Sequence, residues 1–252
     1  MLHFQPKADL ATDTICGLEA LVRWEHPARG LLYPDAFIAL AEQHGLVRRL
    51  TLHVLGLALR QQRAWRHAGI ELPVAVNLFP ANLLDLRFAS DVAALLAEWQ
   101  VPAGSLQLEV TENTVMLDPG RALDTLARLS EMGISFALDD FGTGYSSLAQ
   151  LKRLPVTELK IDRSFVMDMT ANHEDATIVR STVDLARSLG LRVVAEGVET
   201  RAHWEQLAAF GCHAAQGYHL SRPLPADELT AWLRSRRRPA RRSPAPARSR
   251  SR

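Results

Sequence analysis

The sequence predicts an α/β protein of a single domain, folded as a closed barrel of a modified TIM (β/α)8 type. Two observations predict this fold class. Strand-like apolar segments alternate along the chain with amphipathic segments of helical period, which is typical of βα units around a parallel sheet. A polar residue also stands at or near the end of almost every predicted strand. This fits the C-terminal face of a closed barrel better than the single switch point of an open sheet.

The elements follow from this periodicity in chain order. The first two strands are short apolar segments on either side of a polar turn, and they could also be partners in a hairpin. A loop is predicted at 23–30, Pro34 opens the first helix, and Gly69 ends the second. The predicted strands are 3–10, 15–22, 72–77, 105–112, 134–138, 157–162, 191–196 and 214–217. The predicted helices are 34–44, 47–67, 83–99, 119–132, 146–153, 176–189, 203–210 and 226–233.

Two adjacent acids, Asp139 and Asp140, directly follow the strand 134–138, and a Gly-x-Gly loop comes next. An isolated Asp-Asp pair is more often a solvated turn. At the end of an apolar strand, however, the two carboxylates would raise each other's pKa. A hard divalent cation relieves that cost because it binds carboxylate oxygens. The recurrence of polar strand ends elsewhere in the chain favours this metal-binding interpretation.

Composition narrows the class of protein. At 252 residues, with 47% hydrophobic and 23% charged residues, the chain is an ordinary globular sequence. The sequence contains no long uncharged apolar run, so no transmembrane helix is predicted. The N-terminus lacks the layout of a signal peptide. Cys16 and Cys212 stand far apart without metal-ligand spacing. We therefore expect a cytoplasmic protein with two ordinary thiols.

The C-terminal segment 234–252 differs from the rest of the chain, because it holds nine Arg and no acid. Residues 1–233 are left with 20 basic and 28 acidic side chains. A segment rich in Arg, Ser and Pro cannot bury enough apolar surface to fold, so a disordered tail is expected. It could be a solubilising appendage, or it could bind nucleic acid or anionic lipid. Because the barrel is acidic, no specific nucleic-acid binding is expected.

Oxygen ligands from several predicted strands would meet at the barrel mouth. They are Glu19, Asn77, Glu109, Asp139, Asp140 and Glu196. His and Cys are absent from these positions, which favours Mg²⁺ or Mn²⁺ over zinc. The set exceeds the needs of one ion and would suit two ions about 3.5–4 Å apart, the arrangement for in-line phosphodiester hydrolysis. Lys160 would offset negative charge and could hold the attacking water or a phosphate oxygen.

The chain resembles the bacterial EAL-domain phosphodiesterases that hydrolyse cyclic di-GMP, over about residues 3–233. The motifs that carry the resemblance are Glu19-Ala20-Leu21-Val22-Arg23-Trp24, Asn77-Leu78, Glu109-Val110-Thr111-Glu112, Asp139-Asp140-Phe141-Gly142-Thr143-Gly144, Leu159-Lys160-Ile161-Asp162, Glu196-Gly197-Val198-Glu199 and Gln216-Gly217-Tyr218. The tripeptide Glu-Ala-Leu would carry no weight alone, whereas the ordered set is highly specific.

The resemblance implies hydrolysis of cyclic di-GMP to linear pGpG with two bound metal ions. The implied ligands of the first ion are Glu19, Asn77, Glu109 and Asp139, and those of the second are Asp139 and Asp140. Lys160 would orient the nucleophilic water, and Glu196 would be a general base or a ligand through water. The implied supporting residues are Glu199 and Gln216.

The resemblance also implies residues for substrate binding and regulation. Arg23 would grip a phosphate, a use suited to a bidentate donor. Weaker candidates for contacts to guanine or ribose are Leu21, Pro80 and Tyr218. Glu112 would anchor the loop 141–148, which in this family couples metal binding to dimerisation, so a homodimer is expected. The loop residues concerned are Phe141, Gly142, Thr143 and Gly144.

Two features depart from the family pattern. Phe79 replaces the small polar residue that usually follows Asn77-Leu78, which could alter the pocket wall but removes no ligand. The chain also begins at the first predicted strand, where the family usually has a preceding helix. We therefore expect that helix to be missing here, and a longer parent protein could carry a sensor or diguanylate cyclase-like domain upstream.

Three functions remain open at this point. An active metal-dependent phosphodiesterase is favoured because every implied ligand position is filled. A non-catalytic receptor for cyclic di-GMP is the alternative, although such proteins usually have lost metal ligands. The third possibility is a nucleic-acid or membrane adaptor that works through the tail 234–252, for which salt-dependent binding would be diagnostic.

Overall fold

The computed structural model describes residues 1–142 and 151–237. Its strands are β1 (Leu2–Asp9), β2 (Ile15–Val22), β3 (Trp24–His26), β4 (Gly30–Leu32), β5 (Val74–Asn77), β6 (Leu106–Thr111), β7 (Ser135–Phe141), β8 (Glu158–Ile161), β9 (Arg192–Ala195), β10 (Ala214–Ala215) and β11 (Leu224–Pro225). Eight of these strands form a closed barrel in the order β1, β2, β5, β6, β7, β8, β9 and β10, and β10 pairs back with β1. The predicted barrel is therefore confirmed.

The barrel is modified in one respect: β1 runs antiparallel to both of its barrel neighbours. All the other neighbouring pairs in the barrel are parallel. The antiparallel strand explains why the first two apolar segments are joined by a short turn, since a parallel pair would need a long crossover. Beside the barrel, β3 and β4 form a separate hairpin, and β11 pairs with the start of β1.

Ten α-helices of the described residues surround the barrel or follow its strands. They are α1 (Ile38–Gln43), α2 (Val47–His67), α3 (Pro80–Leu83), α4 (Phe88–Trp99), α5 (Glu112–Met116), α6 (Pro119–Glu131), α7 (Arg163–Asp168), α8 (His173–Ser188), α9 (Arg201–Phe210) and α10 (Ala226–Arg237). Short 3-10 turns lie at Pro34–Ala36 and Ala103–Ser105. Each of these helices is too short or too polar to cross a bilayer.

Local sequence chemistry sets the ends and the buried face of these helices. In α6, the Asp118 side chain accepts a hydrogen bond from the Arg121 N–H, and Pro119 occupies the first turn. In α9, Thr200 caps the N-terminus in the same way, and Gly211 ends the helix with a φ of 78°. The buried residues of α6 recur every three or four positions, so one face of the helix packs on the barrel.

The strands separate an apolar core from a polar barrel interior. In β6, Leu106, Leu108 and Val110 belong to the hydrophobic core between sheet and helices. The intervening Gln107 and Glu109 are also buried, and they point to the opposite face because side chains alternate along a strand. Regular TIM barrels fill the interior with bulky apolar side chains. Here buried charge occupies it.

Several expectations from the sequence are corrected by the structure. The predicted loop 23–30 contains β3 and the start of β4, where Gly30 adopts a φ of 71°. The helix expected within 83–99 begins at Phe88 as α4, after the separate short helix α3, and neither α3, α5 nor α7 was predicted. Helix α10 continues to Arg237, so the first four residues of the expected disordered tail are helical. The predicted helix 146–153 and the tail beyond 237 lie largely outside the described residues.

Candidate metal centre

The acidic side chains at the mouth of the barrel converge on one buried ammonium group. Lys160 Nζ lies 2.8 Å from Glu109 Oε2, 3.0 Å from Asp139 Oδ2 and 2.7 Å from Glu196 Oε1. Lys160 is only 1% exposed. Burial alone would favour the neutral amine, but the surrounding carboxylates, Glu109 first, raise the pKa of Lys160 well above its usual value. The lysine is therefore a permanent positive charge at the centre of the cluster.

Glu19 is held at the same mouth by side-chain amides. Asn77 Nδ2 donates a hydrogen bond of 2.8 Å to Glu19 Oε1, and Gln216 Nε2 donates one of 2.6 Å to Glu19 Oε2. The Gln216 amide also donates to Gln5 Oε1 at 3.0 Å. Burial opposes ionisation, yet Lys160 and these two amides keep the pKa of Glu19 below its usual value. Glu19 is thus a fixed carboxylate, ready to bind a cation.

Asp139, Asp140 and Glu196 form a second grouping at the mouth. One oxygen from each lies within 4.8 Å of the others, which is close enough for all three to bind one ion. The Asp140 backbone has a φ of 54°, a left-handed conformation that few residues other than Gly adopt, although Asp adopts it more readily than most, and its N–H donates to Asp139 Oδ1 at 3.0 Å. Strained backbone of this kind occurs often at functional sites.

The electrostatics of this grouping favour protons or cations. Burial, with Asp139 and Glu19 nearby, outweighs Lys160 and raises the pKa of Glu196 to about 7. Burial and the neighbouring Asp139 and Asp162 raise the pKa of Asp140 to about 6. Carboxylates that ionise reluctantly in a crowded acidic site gain most from a bound cation.

The donor set fits hard divalent ions. All of the convergent groups offer carboxylate or amide oxygens, the ligands that Mg²⁺ and Mn²⁺ prefer. Glu109 is fully buried, and its Oε1 has no hydrogen-bond partner among the described residues. Its nearest cation, Lys7 Nζ, lies 3.5 Å away, so this buried oxygen can still accept a bond from water or bind an ion. One correction applies here, because Asp139 and Asp140, which were predicted to follow their strand, lie within β7.

The residues predicted to support or regulate the site lie beside this centre. Glu112 is buried, and its Oε1 accepts a long hydrogen bond of 3.5 Å from Gly142 N. Gly142 needs its φ of 97°, and a Cβ there would lie 3.3 Å from the Phe165 ring. Phe141 is the last residue of β7, and the exposed Glu199 lines the cleft beside Glu196. The predicted loop residues Thr143 and Gly144 lie outside the described residues.

Two adjoining clefts open at the mouth. The smaller, about 300 Å³, is lined by Glu19, Asp139, Lys160, Glu196 and Gln216. The larger, about 810 Å³, is mostly apolar, and Phe79 and Pro80 lie in its wall. Leu21 lines both clefts, and Tyr218 lines the smaller one.

Arg23 sits at the end of β2 and is largely buried. Its Nη1 donates to the Val22 carbonyl at 2.9 Å, and its guanidinium lies 4.8 Å above the centre of the Tyr33 ring. Its Nε is buried without a hydrogen-bond partner among the described residues. The group therefore retains donor capacity for an incoming acceptor.

Sequence reasoning missed four residues near the centre. Gln5 bonds the Gln216 amide, and Arg163 and Met167 line the smaller cleft. Lys7 reaches Glu109 from below. Gln5 and Lys7 occupy alternate positions of β1, a signal that the sequence contains. It becomes informative only once β1 is known to line the barrel interior.

Comparison with known proteins gives a consistent result. The family model of the EAL domain matches residues 1–223. The chain is 45% identical over 232 residues to the "Bifunctional diguanylate cyclase/cyclic di-GMP phosphodiesterase MucR" of Pseudomonas aeruginosa, covering 92% of this chain and 34% of that protein. It is 46% identical over 237 residues to the "Cyclic di-GMP phosphodiesterase NbdA" of the same species, covering 94% of this chain and 30% of that protein.

A solved structure described as "PaMucR Phosphodiesterase, c-di-GMP complex" is also similar. It superposes with a TM-score of 0.87 at 45% identity, covering 91% of this chain and 93% of the other. The chain spans about a third of the length of the two curated relatives named above.

Proposed function

Because the chain belongs to the EAL domain family, we propose that it hydrolyses cyclic di-GMP to linear 5′-pGpG with the help of two Mg²⁺ or Mn²⁺ ions. The observation that carries the proposal is the convergence of Glu19, Glu109, Asp139 and Glu196 around Lys160 at the barrel mouth. We also propose that the protein acts in the cytoplasm.

The ligand assignment is the one that the family resemblance implies. The ligands proposed for one ion are Glu19, Asn77, Glu109 and Asp139, and those for the other are Asp139 and Asp140, with Glu196 as a base or a ligand through water. When bound, two such ions lower the pKa of a water molecule and neutralise charge on a phosphodiester.

The protein's own groups would then position the reactants. Lys160 keeps its proton on Nζ, and from the centre of the cluster it can hold the attacking water by a hydrogen bond. Gln216 and Asn77 fix both oxygens of Glu19 through their amides. A nucleophile fixed in line with the scissile bond gains rate through proximity and orientation.

The two clefts support a substrate with two bases and two phosphates. We propose that one guanine occupies the larger apolar cleft against Pro80, and that Leu21 separates it from the reacting phosphate in the smaller cleft. The Arg23 Nε, which has no hydrogen-bond partner in the described part of the chain, supports a phosphate contact. Tyr218 is half exposed at the rim and is the candidate for the second base.

Regulation belongs to the proposal as well. Glu112 contacts the start of the loop 141–148 and would transmit metal binding to a homodimer interface.

A non-catalytic receptor for cyclic di-GMP is the second candidate. It is disfavoured because every proposed ligand position holds an oxygen donor. Domains upstream in a longer parent protein would regulate the barrel.

Metal removal tests the proposal directly. Purified protein with cyclic di-GMP is expected to release pGpG in the presence of Mg²⁺ or Mn²⁺, and to release none after treatment with EDTA. Ion-exchange chromatography of the products measures both results. Turnover that persists in EDTA would contradict the metal-dependent mechanism, and binding without turnover under every metal condition would favour the receptor.

Divalent ions are also expected to stabilise the protein more at pH 8 than at pH 5.5. The metal-free pKa values of about 7 for Glu196 and about 6 for Asp140 lie above those of an unfolded chain. Protonation of these two carboxyl groups therefore stabilises the folded state. This stabilisation is fully present below the pKa values of the unfolded chain, and it is lost as pH rises through the folded-state pKa values, between about pH 4 and 7. Metal ions replace these protons.

Calorimetric unfolding with and without Mn²⁺ at both pH values measures this effect. The rise in Tm on adding Mn²⁺ should be larger at pH 8. In a Glu196→Gln variant the difference between the two pH values should shrink, because the amide does not titrate. Equal increments of Tm at pH 5.5 and pH 8 in the wild type would contradict the prediction.

A further inference from the structure

A second buried polar cluster lies directly below the mouth, inside the barrel. We call Lys7, Gln107 and Glu158 the floor cluster. Lys7 Nζ donates to Gln107 Oε1 at 2.7 Å and to Glu158 Oε1 at 3.0 Å. All three side chains are buried. Gln107 and Glu158 each stand two residues before a mouth residue on the same strand, Glu109 in β6 and Lys160 in β8.

The surrounding backbone makes room for the lysine. Gly17 is the register partner of Lys7 on the neighbouring strand, and a Cβ there would lie 3.3 Å from Lys7 Cε. Ala137 on β7 is the register partner of both Glu109 and Glu158, and it is fully buried. Small residues around a long charged side chain indicate that the interior is shaped for this side chain.

Lys7 links the floor cluster to the metal centre through Glu109. Its Nζ lies 3.5 Å from Glu109 Oε1, while Lys160 bonds Glu109 Oε2 at 2.8 Å. The carboxylate is thus fixed between two ammonium groups, one above and one below. Neither lysine has more than 5% of its side chain exposed. Glu109 Oε1 keeps its lone pairs free of hydrogen bonds from the described residues.

We propose that Lys7 is a positioning residue for the metal centre, which fixes the carboxylate plane of Glu109 from below so that Oε1 is presented to a divalent ion. This inference rests on the proposed function and adds Lys7 to it. Groups that orient metal ligands in this way typically contribute about 10–100-fold to metal affinity. The charge of Lys7 is balanced by Glu158, so the pair can be replaced together without leaving a buried charge.

The test uses the whole chain and Mn²⁺ alone, without substrate. The Lys7→Met/Glu158→Gln double variant removes the ammonium group and keeps the site neutral. The matched control is Glu158→Gln, which leaves Lys7 in place with Glu109 as its remaining charged partner. We expect the double variant to bind Mn²⁺ about tenfold more weakly than the control, by titration calorimetry or by the electron paramagnetic resonance signal of free Mn²⁺. The control should stay within about threefold of the wild type.

A coupling measurement separates positioning from general damage to the fold. In a Glu109→Gln background, the Lys7→Met/Glu158→Gln change should have little further effect on Mn²⁺ affinity, because Lys7 acts through Glu109. An unchanged loss of affinity in that background would overturn the proposal. So would a folded double variant that binds Mn²⁺ as tightly as the control.

Two further outcomes are decisive. If the double variant does not fold, Lys7→Gln/Glu158→Gln, which keeps hydrogen-bonding side chains at both positions, is judged by the same criterion. Failure of both variants to fold would make Lys7 a structural residue and would overturn the proposal. Wild-type protein that binds no Mn²⁺ would instead overturn the metal centre itself.

Discussion

Replacing Lys160 by Met is expected to lower turnover of cyclic di-GMP by about 10³-fold, while leaving the backbone of the barrel unchanged. The ammonium group lies within 3.0 Å of three carboxylates at the mouth, on Glu109, Asp139 and Glu196. Met has a similar length but cannot hold a water molecule by a hydrogen bond. The loss should appear mainly in kcat, because the lysine positions the nucleophile rather than the bases of the substrate.

The same substitution is expected to destabilise the metal-free protein by about 3–5 kcal/mol, because it removes the ammonium group that pairs with Glu109, Asp139 and Glu196. Added Mn²⁺ should then raise the Tm of Lys160→Met more than that of the wild type, since the ions supply the missing positive charge. Lys152→Met is the matched control, because Lys152 is exposed. Its kcat and Tm should match the wild type. A Lys160→Met variant with wild-type kcat would exclude the proposed role.

The sequence alone identifies most members of the candidate metal centre, because they are polar residues that interrupt apolar strands. Asp139 and Asp140 are visible in this way, and Glu19 and Asn77 become visible once the strands are ordered around a barrel. Glu109 was predicted inside the strand 105–112 and lies within β6. Asp139 and Asp140 were predicted to follow their strand, whereas both lie within β7. A pattern of alternating residues shows which side chains share one face of a strand, but it does not show how far each residue lies from the end of that strand.

The floor cluster could not be predicted in the same way. Lys7 alternates with apolar residues in β1, and such a polar face usually meets solvent. It is buried here because β1 closes the barrel by pairing with both β2 and β10, a long-range feature without a local sequence signal. Local rules also missed the hairpin of β3 and β4, since each strand has only three residues.

Gly217→Ala is expected to lower both folding stability and turnover, as Lys160→Met does, through a clash with the backbone alone. A Cβ at this buried position would lie 2.2 Å from the carbonyl oxygen and 2.3 Å from the nitrogen of Val198. Backbone atoms cannot move aside as a flexible side chain can, so the segment around Gln216 must shift. Overpacking of this kind costs roughly 3 kcal/mol of folding stability, measured as a shift of the urea midpoint.

The shift should reach the metal centre as well, because the displaced segment holds Glu19. Val198 N donates to the Gln216 carbonyl at 3.1 Å, and the Gln216 side chain donates to Glu19 Oε2 at 2.6 Å. Displacing Gln216 by about 1 Å is expected to lower turnover about 10²-fold even where the protein remains folded. Gly56→Ala, within helix α2, is the control. Its Cβ would meet only a methyl group of Leu95, at 3.9 Å. That variant should keep full turnover and gain up to about 1 kcal/mol of stability, because Ala favours a helix more than Gly does. A folded Gly217→Ala variant with wild-type turnover would show that the Gln216 segment does not position Glu19.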